Sequence, residues 1–255
     1  KDDYGLLRYD TKDPLVLEKG YISQYAVDLD QFVKKFKDEN IYLIARIVVF
    51  KDKNLSQYGG GKYAVWNRVT GGHWVGTRGT EDVVDEEGNV TGTQTVYYDE
   101  NWVDPYSEEV WEYNIAIAKE LISRGFDEIQ FDYIRFPTDG LNLSQASYRW
   151  QDPGMNKESA LRSFLSYARE NIDAPIGIDI YGANGWYRSG ARTGQDVELL
   201  SDFVDVICPM FYPSHFEQDF LAQTPKAERP YRIYFNGTYR NSIIARNKCV
   251  VRPWA

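Results

Sequence analysis

The chain has 255 residues, 43% of them hydrophobic, enough for a substantial core and for one large domain or two small ones. Its net charge of −9 argues against a polyanionic nucleic-acid partner, because neutralising phosphates takes a basic face that this balance does not indicate. The longest nearly apolar run, residues 41–50, is broken by Arg46, so no segment is long enough to span a bilayer as a helix.

In chain order, Leu29, Phe32, Val33 and Phe36 form a helical stripe that Asn40 terminates. A strand over Ile41 to Phe50 (IYLIARIVVF) follows. The next fifty residues form a long inserted loop, about 54–101, with a hairpin-turn signature at Glu87-Gly88-Asn89; its tyrosines and tryptophans favour an ordered excursion. A second helix, marked by Ile115, Ala118, Leu121 and Ile122, opens near Asp104, Pro105 and Ser107 and closes at Gly125. Glu128 to Phe136 reads as a strand, Leu161 to Ala168 as a helix, and Ile176 to Tyr181 as a strand. A short helix at Val197, Leu200 and Phe203 precedes a strand over Val204 to Tyr212, and Cys249 to Trp254 is a weaker fifth strand. Strands apolar on both phases that alternate with helices predict an α/β protein with a parallel sheet. Both a closed barrel and an open doubly wound sheet satisfy that order. The barrel is preferred because no GxGxxG follows a strand, and Gly59-Gly60-Gly61-Lys62 is followed by Tyr63 where a P-loop needs Ser or Thr. Long loops after strands make the C-terminal face of the sheet the working face.

Two aspartates stand inside these apolar strands. Ile129, Phe131 and Tyr133 share one face, which places Gln130 and Asp132 on the other. Ile176, Ile178 and Ile180 likewise leave Asp179 with Gly177 and Tyr181. A charged Asp among apolar neighbours costs several kcal/mol unless it is paired. Either these are structural ion pairs, with Arg46 or Arg135 as partner, or they are two carboxylates of unequal pKa in a cleft, as acid/base cleavage of a glycosidic bond requires. His73 and His215 are the only histidines, so carboxylates are the better proton carriers, and no GxSxG supports a serine triad. His215 reads as a hydrogen-bonded or substrate-contacting residue. Trp66, Trp74, Trp150, Trp186, Tyr187, Phe211, Tyr212 and Phe216 follow strand ends, where some rings can stack on sugars. Cys208 and Cys249 have no metal spacing and read as small buried apolar residues.

Three blocks, Trp102 to Ser107, Val110 to Ala116 and above all Gly125 to Pro137 (GFDEIQFDYIRFP), resemble the putative glycosyl hydrolase domain family with a TIM-barrel fold. Lys1 to Gly5 (KDDYG), Ala45 to Asp52, Cys208 to His215 and Arg252 to Trp254 match it in order. The resemblance implies a single (β/α)8 barrel domain over 1–255, incomplete because the first strand, most of the second and the eighth are missing. It also implies a polysaccharide or oligosaccharide substrate and an extracellular or cell-envelope location. The catalytic pair is then Asp132 as nucleophile or base and Asp179 as acid, with those roles open to exchange. Arg46, Gln130, Tyr133, Arg135, Tyr181, Trp186, Tyr212, His215, Trp254 and Asp2 would bind substrate, with no metal or cofactor. The competing expectation is a carbohydrate-binding or structural barrel without catalysis; a metal-dependent hydrolase would instead need His215 or Asp2 at an ion.

Overall fold

The structure, a computed structural model, describes residues 1–187 and 192–254. The chain begins with β1 (Leu6–Tyr9), α1 (Pro14–Lys19) and β2 (Tyr21–Val27), and β1 and β2 pair in parallel as a sheet of their own. Next comes α2 (Leu29–Asp38), whose Asp28 N-cap accepts the Gln31 N–H. The positive φ of Asn40 (56°) ends it and turns the chain into β3 (Ile44–Val48).

The long excursion is ordered into several pieces. They are the kinked α3 (Lys53–Gly61), the short strands β4 (Trp66–Asn67) and β5 (Gly72–His73), and the hairpin β6 (Thr77–Val84) with β7 (Val90–Tyr97). Then follow α4 (Glu108–Ser123), β8 (Glu128–Asp132), and β9 (Ala146–Ser147), which completes a three-stranded antiparallel sheet with β4 and β5. The remainder is α5 (Lys157–Asn171), β10 (Ile176–Tyr181), α6 (Gly182–Trp186), α7 (Val197–Leu200), β11 (Val206–Met210), α8 (Arg229–Ile244) and β12 (Val250–Val251).

The central sheet has the order β12-β11-β10-β8-β3 and every pairing in it is parallel, so spatial order follows chain order and a helix covers each crossover. This is the expected mixed α/β arrangement. The closed cylinder is not seen: among the described residues β3 and β12 stand at opposite edges of an open sheet.

One face of the sheet is apolar. Ala45, Ile47, Ile129, Phe131, Ile176, Ile178 and Ile180 are all buried, and they meet Ile117 and Leu121 of α4 and Leu161, Phe164 and Leu165 of α5 in one core. Phe164 is the hub, with its ring 5.3 Å from Phe131, 5.5 Å from Phe50 and 6.3 Å from Trp111. Burying a side chain of this size contributes about 1.5–3 kcal/mol, and this one-sided core leaves the opposite face of the sheet free to carry polar groups.

Candidate active site

The polar face follows from strand periodicity and register. Arg46 stands opposite Gln130, which stands opposite Gly177, and Asp179 stands opposite Cys208. Residues two apart on a strand point the same way, so Arg46, Gln130, Asp132 and Asp179 share one side of the sheet. Asp132 is the last residue of β8, at the C-terminal edge where the strands open into loops.

Tyr133 follows in the left-handed region (φ 51°), which costs a bulky residue about 1–3 kcal/mol. The surroundings hold it there. The Val49 N–H donates to the Asp132 carbonyl at 2.9 Å and the Phe50 N–H to the Tyr133 carbonyl at 3.3 Å. The sharp turn also brings the Tyr133 N–H within 2.6 Å of Asp132 Oδ1.

One guanidinium spans the pair. Arg46 donates to Asp132 Oδ2, and its Nε is 3.8 Å from Asp179 Oδ2. The fixed size of a guanidinium then places the two carboxylates within about 8 Å of each other. The Arg46 side chain is 45% exposed and those of Asp132 and Asp179 are 3% and 0%, so Arg46 lies over both acids as a cap.

The two acids differ in their surroundings. Asp132 receives a cation and a backbone N–H, both suited to a charged carboxylate. Asp179 Oδ1 accepts from Gln130 Nε2 at 2.6 Å and Trp254 Nε1 at 2.8 Å, while its Oδ2 is buried without a hydrogen-bond partner. Burial, then the neighbouring charge of Asp132, push its pKa up to about 7 against the opposing pull of Trp254, Gln130 and Arg46. The proton that this favours belongs on Oδ2, the oxygen no donor claims.

Beside the pair is a cavity of about 170 Å³ lined by Asp132, Tyr133, Arg135, Asp179, Tyr181, Gly182, Gln195, Met210, His215 and Phe216 among others. Gly182 is required there, since a Cβ would stand 2.3 Å from the Met210 carbonyl oxygen. Gln195 holds the wall together: it accepts the Tyr181 N–H at 2.8 Å and donates to the Asp179 and Ile134 carbonyls at 3.0 and 3.2 Å. As a buried loop glutamine, it carries no pattern that marks it in the sequence.

The other residues expected at the site fall into two groups. Gln130, Trp254 and Arg46 contact the acids directly, and Tyr133, Arg135, Tyr181 and His215 line the cavity. Tyr212 packs edge-on to His215, and its hydroxyl is pushed up by burial and then by the charges of Asp179 and Asp132. Two residues lie away from the cavity lining. Trp186 is buried against Phe211, Phe216 and Phe220, a packing role that removes its face from any sugar. Asp2 is occupied by Arg8 and the backbone N–H groups of Tyr4 and Leu6, which fixes the turn before β1. Arg135, considered above as a partner for Asp132, makes no ion pair among the described residues; its guanidinium sits over the rings of Trp102 and Tyr133. His73 lines a separate groove beside the β6–β7 hairpin, and both cysteines are free. Among the described residues no three His, Cys, Asp or Glu side chains converge, and no helix is long and apolar enough to cross a membrane.

Comparison with known proteins gives the arrangement a context. The family described as "Putative glycosyl hydrolase domain" matches residues 1–255. A hypothetical protein from Ruminiclostridium thermocellum ATCC 27405 is 36% identical, over 70% of this chain and 79% of its own, with a TM-score of 0.54. The PgaB (BpsB) glycoside hydrolase domain from Bordetella bronchiseptica aligns with 100% of this chain and 80% of its own at 10% identity and a TM-score of 0.56. The trehalulose synthase MutB from Pseudomonas mesoacidophila MX-45 aligns with 96% of this chain at 12% identity and a TM-score of 0.51, and the chain spans 48% of its length. The last two are likenesses of fold alone. No curated protein matches the chain.

Proposed function

The chain belongs to the family described as "Putative glycosyl hydrolase domain", and from that membership and the Asp132 and Asp179 pair we propose that it hydrolyses a glycosidic bond in a polysaccharide. The observation that carries this reading is the pair itself: two carboxylates of unequal environment, on one face of a parallel sheet, at a cavity by its C-terminal edge. We read the open five-stranded sheet as an arc of a (β/α)8 barrel, in which this edge is the working end. Action on a polysaccharide outside the cytoplasm belongs to the same proposal.

Near neutral pH Asp179 holds a proton on Oδ2 for a substantial fraction of the time, which suits the general acid that protonates the leaving oxygen. Asp132, paired with Arg46 and facing the cavity, is then nucleophile or base. A separation within about 8 Å accommodates both the retaining and the inverting geometry, so the stereochemical outcome stays open. Gln130 and Trp254 hold Asp179 by Oδ1 and thereby present Oδ2. Arg46 lies over both acids, so a substrate must turn the guanidinium aside to reach them.

That cap also favours a second reading, a barrel that binds carbohydrate without cleaving it, because the Asp179 side chain has no exposed surface. Measuring reducing ends released from a panel of polysaccharides by the wild type, Asp132→Asn and Asp179→Asn separates the two. Hydrolysis that either substitution abolishes supports the proposal. Binding without release favours the scaffold, and release undiminished in Asp132→Asn removes Asp132 from the mechanism.

A further inference from the structure

The acidic pair does not account for Arg135. Its guanidinium lines the same cavity yet has no carboxylate within 4 Å among the described residues, although the chain carries a net charge of −9. Arg46 is matched with Asp132, Arg124 with Asp10 and Asp30, and Arg252 with Glu128, while Arg229, also without a carboxylate among the described residues, spends all three of its nitrogens on the carbonyls of Phe220, Pro213, Phe216 and Glu217. Arg135 is held in place by aromatic rings instead, with its Cζ 4.8 Å from the centroid of Trp102, 5.3 Å from Tyr133 and 6.0 Å from Tyr181. Of its nitrogens Nη1 alone is engaged among the described residues, donating to the Phe136 carbonyl at 3.2 Å and to Thr138 Oγ1 at 3.4 Å. Such a guanidinium is fixed in direction and keeps donors free, an arrangement matched to a planar or tetrahedral oxyanion.

A second arginine continues the line. Arg192 Nη2 donates to the Thr138 carbonyl at 2.9 Å, and the Arg192 carbonyl accepts from Lys157 Nζ at 3.0 Å. Arg192 borders a second cavity of about 200 Å³ that shares Tyr181 and Ala183 with the first. The carboxylate nearest to Arg192 is Asp139, at 3.9 Å. The cleft therefore runs from the carboxylate pair past Arg135 to Arg192, with positive charge accumulating along one side.

We propose that the polymer taken by this cleft is acidic, a carboxylate or sulfate ester on the sugar next to the cleaved bond pairing with Arg135 and a following anionic group meeting Arg192. This rests on the hydrolase reading of the same site and names its substrate class. Affinity electrophoresis tests it with polygalacturonate and hyaluronan as uronate polymers, dextran sulfate as a sulfate ester, and dextran and xylan as neutral polymers. Wild type, Arg135→Gln, Arg135→Lys and Arg192→Gln are compared at low and high salt, with thermal melts confirming that each variant is folded.

The expected result is retention by a uronate or sulfated polymer and not by a neutral one, weakened by salt. Arg135→Gln weakens it about tenfold, the loss of one charge-assisted bidentate contact. Arg135→Lys recovers part of that loss, and Arg192→Gln weakens retention less. The polymer retained distinguishes carboxylate from sulfate. Equal or tighter binding of a neutral polymer, undiminished binding by Arg135→Gln, or binding to none of the polymers overturns the proposal. Hydrolysis of a neutral polymer alone would remove the acidic substrate and leave the hydrolase reading intact. Binding of an acidic polymer without cleavage would do the reverse.

Discussion

Replacing Asp179 with asparagine is expected to flatten the dependence of stability on pH. The folded protein holds the Asp179 proton up to about pH 7, whereas an unfolded aspartate releases it near 3.8. Between those values the folded state binds more protons than the unfolded state, so stability falls as pH rises through the window. At ~1.4 kcal/mol per pH unit the full displacement is worth about 4 kcal/mol, lost progressively from about pH 4 to about pH 7. Asparagine keeps the shape and its Oδ1 can still accept from Gln130 and Trp254, while its amide takes the place of an Oδ2 that has no hydrogen-bond partner. Any cost of burying that amide is independent of pH and shifts the curve without tilting it. Asp104, pushed by burial up to about 6, contributes equally to both proteins and cancels in the difference. Urea unfolding at a series of pH values, with m-values monitored, measures that difference. The variant should gain on the wild type from about pH 4 to about pH 7 and level off above that. Parallel curves would refute the assignment of a raised pKa to Asp179.

Arg46→Met leaves two neighbouring acids without their shared cation and should cost about 2 kcal/mol near neutral pH, a figure reduced from that of a fully buried pair because the guanidinium is half exposed. Adding Asp132→Asn should restore much of it, and a double-mutant cycle in denaturant measures the coupling. Gly182→Ala drives a methyl group against the Met210 carbonyl and should destabilise by about 1–3 kcal/mol, seen as a lower melting temperature with a disturbed cavity. Phe164→Ala empties the hub between Phe50, Phe131 and Trp111 and should cost about 3–5 kcal/mol without altering the pH dependence ascribed to Asp179.

Much of the central sheet was legible because its signal is local. The isoleucines at 176, 178 and 180 delimit β10 to the residue, and the same alternation places Asp132 and Asp179 on a common face. The elements that escaped are those whose burial is set by distant neighbours. Helix α8 packs through Ile233, Gly237 and Asn241 and exposes Tyr231, Phe235, Tyr239 and Ile243, so its apolar stripe faces outward and the usual pattern is inverted. Gly237 is there because Phe211 presses against it, with a Cβ only 2.9 Å from that ring. Strand β2 likewise exposes Tyr21, Ile22, Tyr25 and Val27 and shows no alternation. At the site, the left-handed turn at Tyr133 has no compositional marker, since glycine or asparagine is the residue that advertises a positive φ. That Arg46 reaches both acids follows from the register of three strands, which no single segment encodes.

The division of labour between the two acids is the central claim, and aryl glycosides of whichever sugar the polysaccharide panel identifies test it most directly. A leaving group acidic enough to depart unprotonated needs no general acid. Asp179→Asn should therefore retain most activity on such a substrate while losing about 10²–10⁴-fold on the polymer, and Asp132→Asn should lose both. Equal losses on the two substrates in Asp179→Asn, or full activity in Asp132→Asn, would contradict the account.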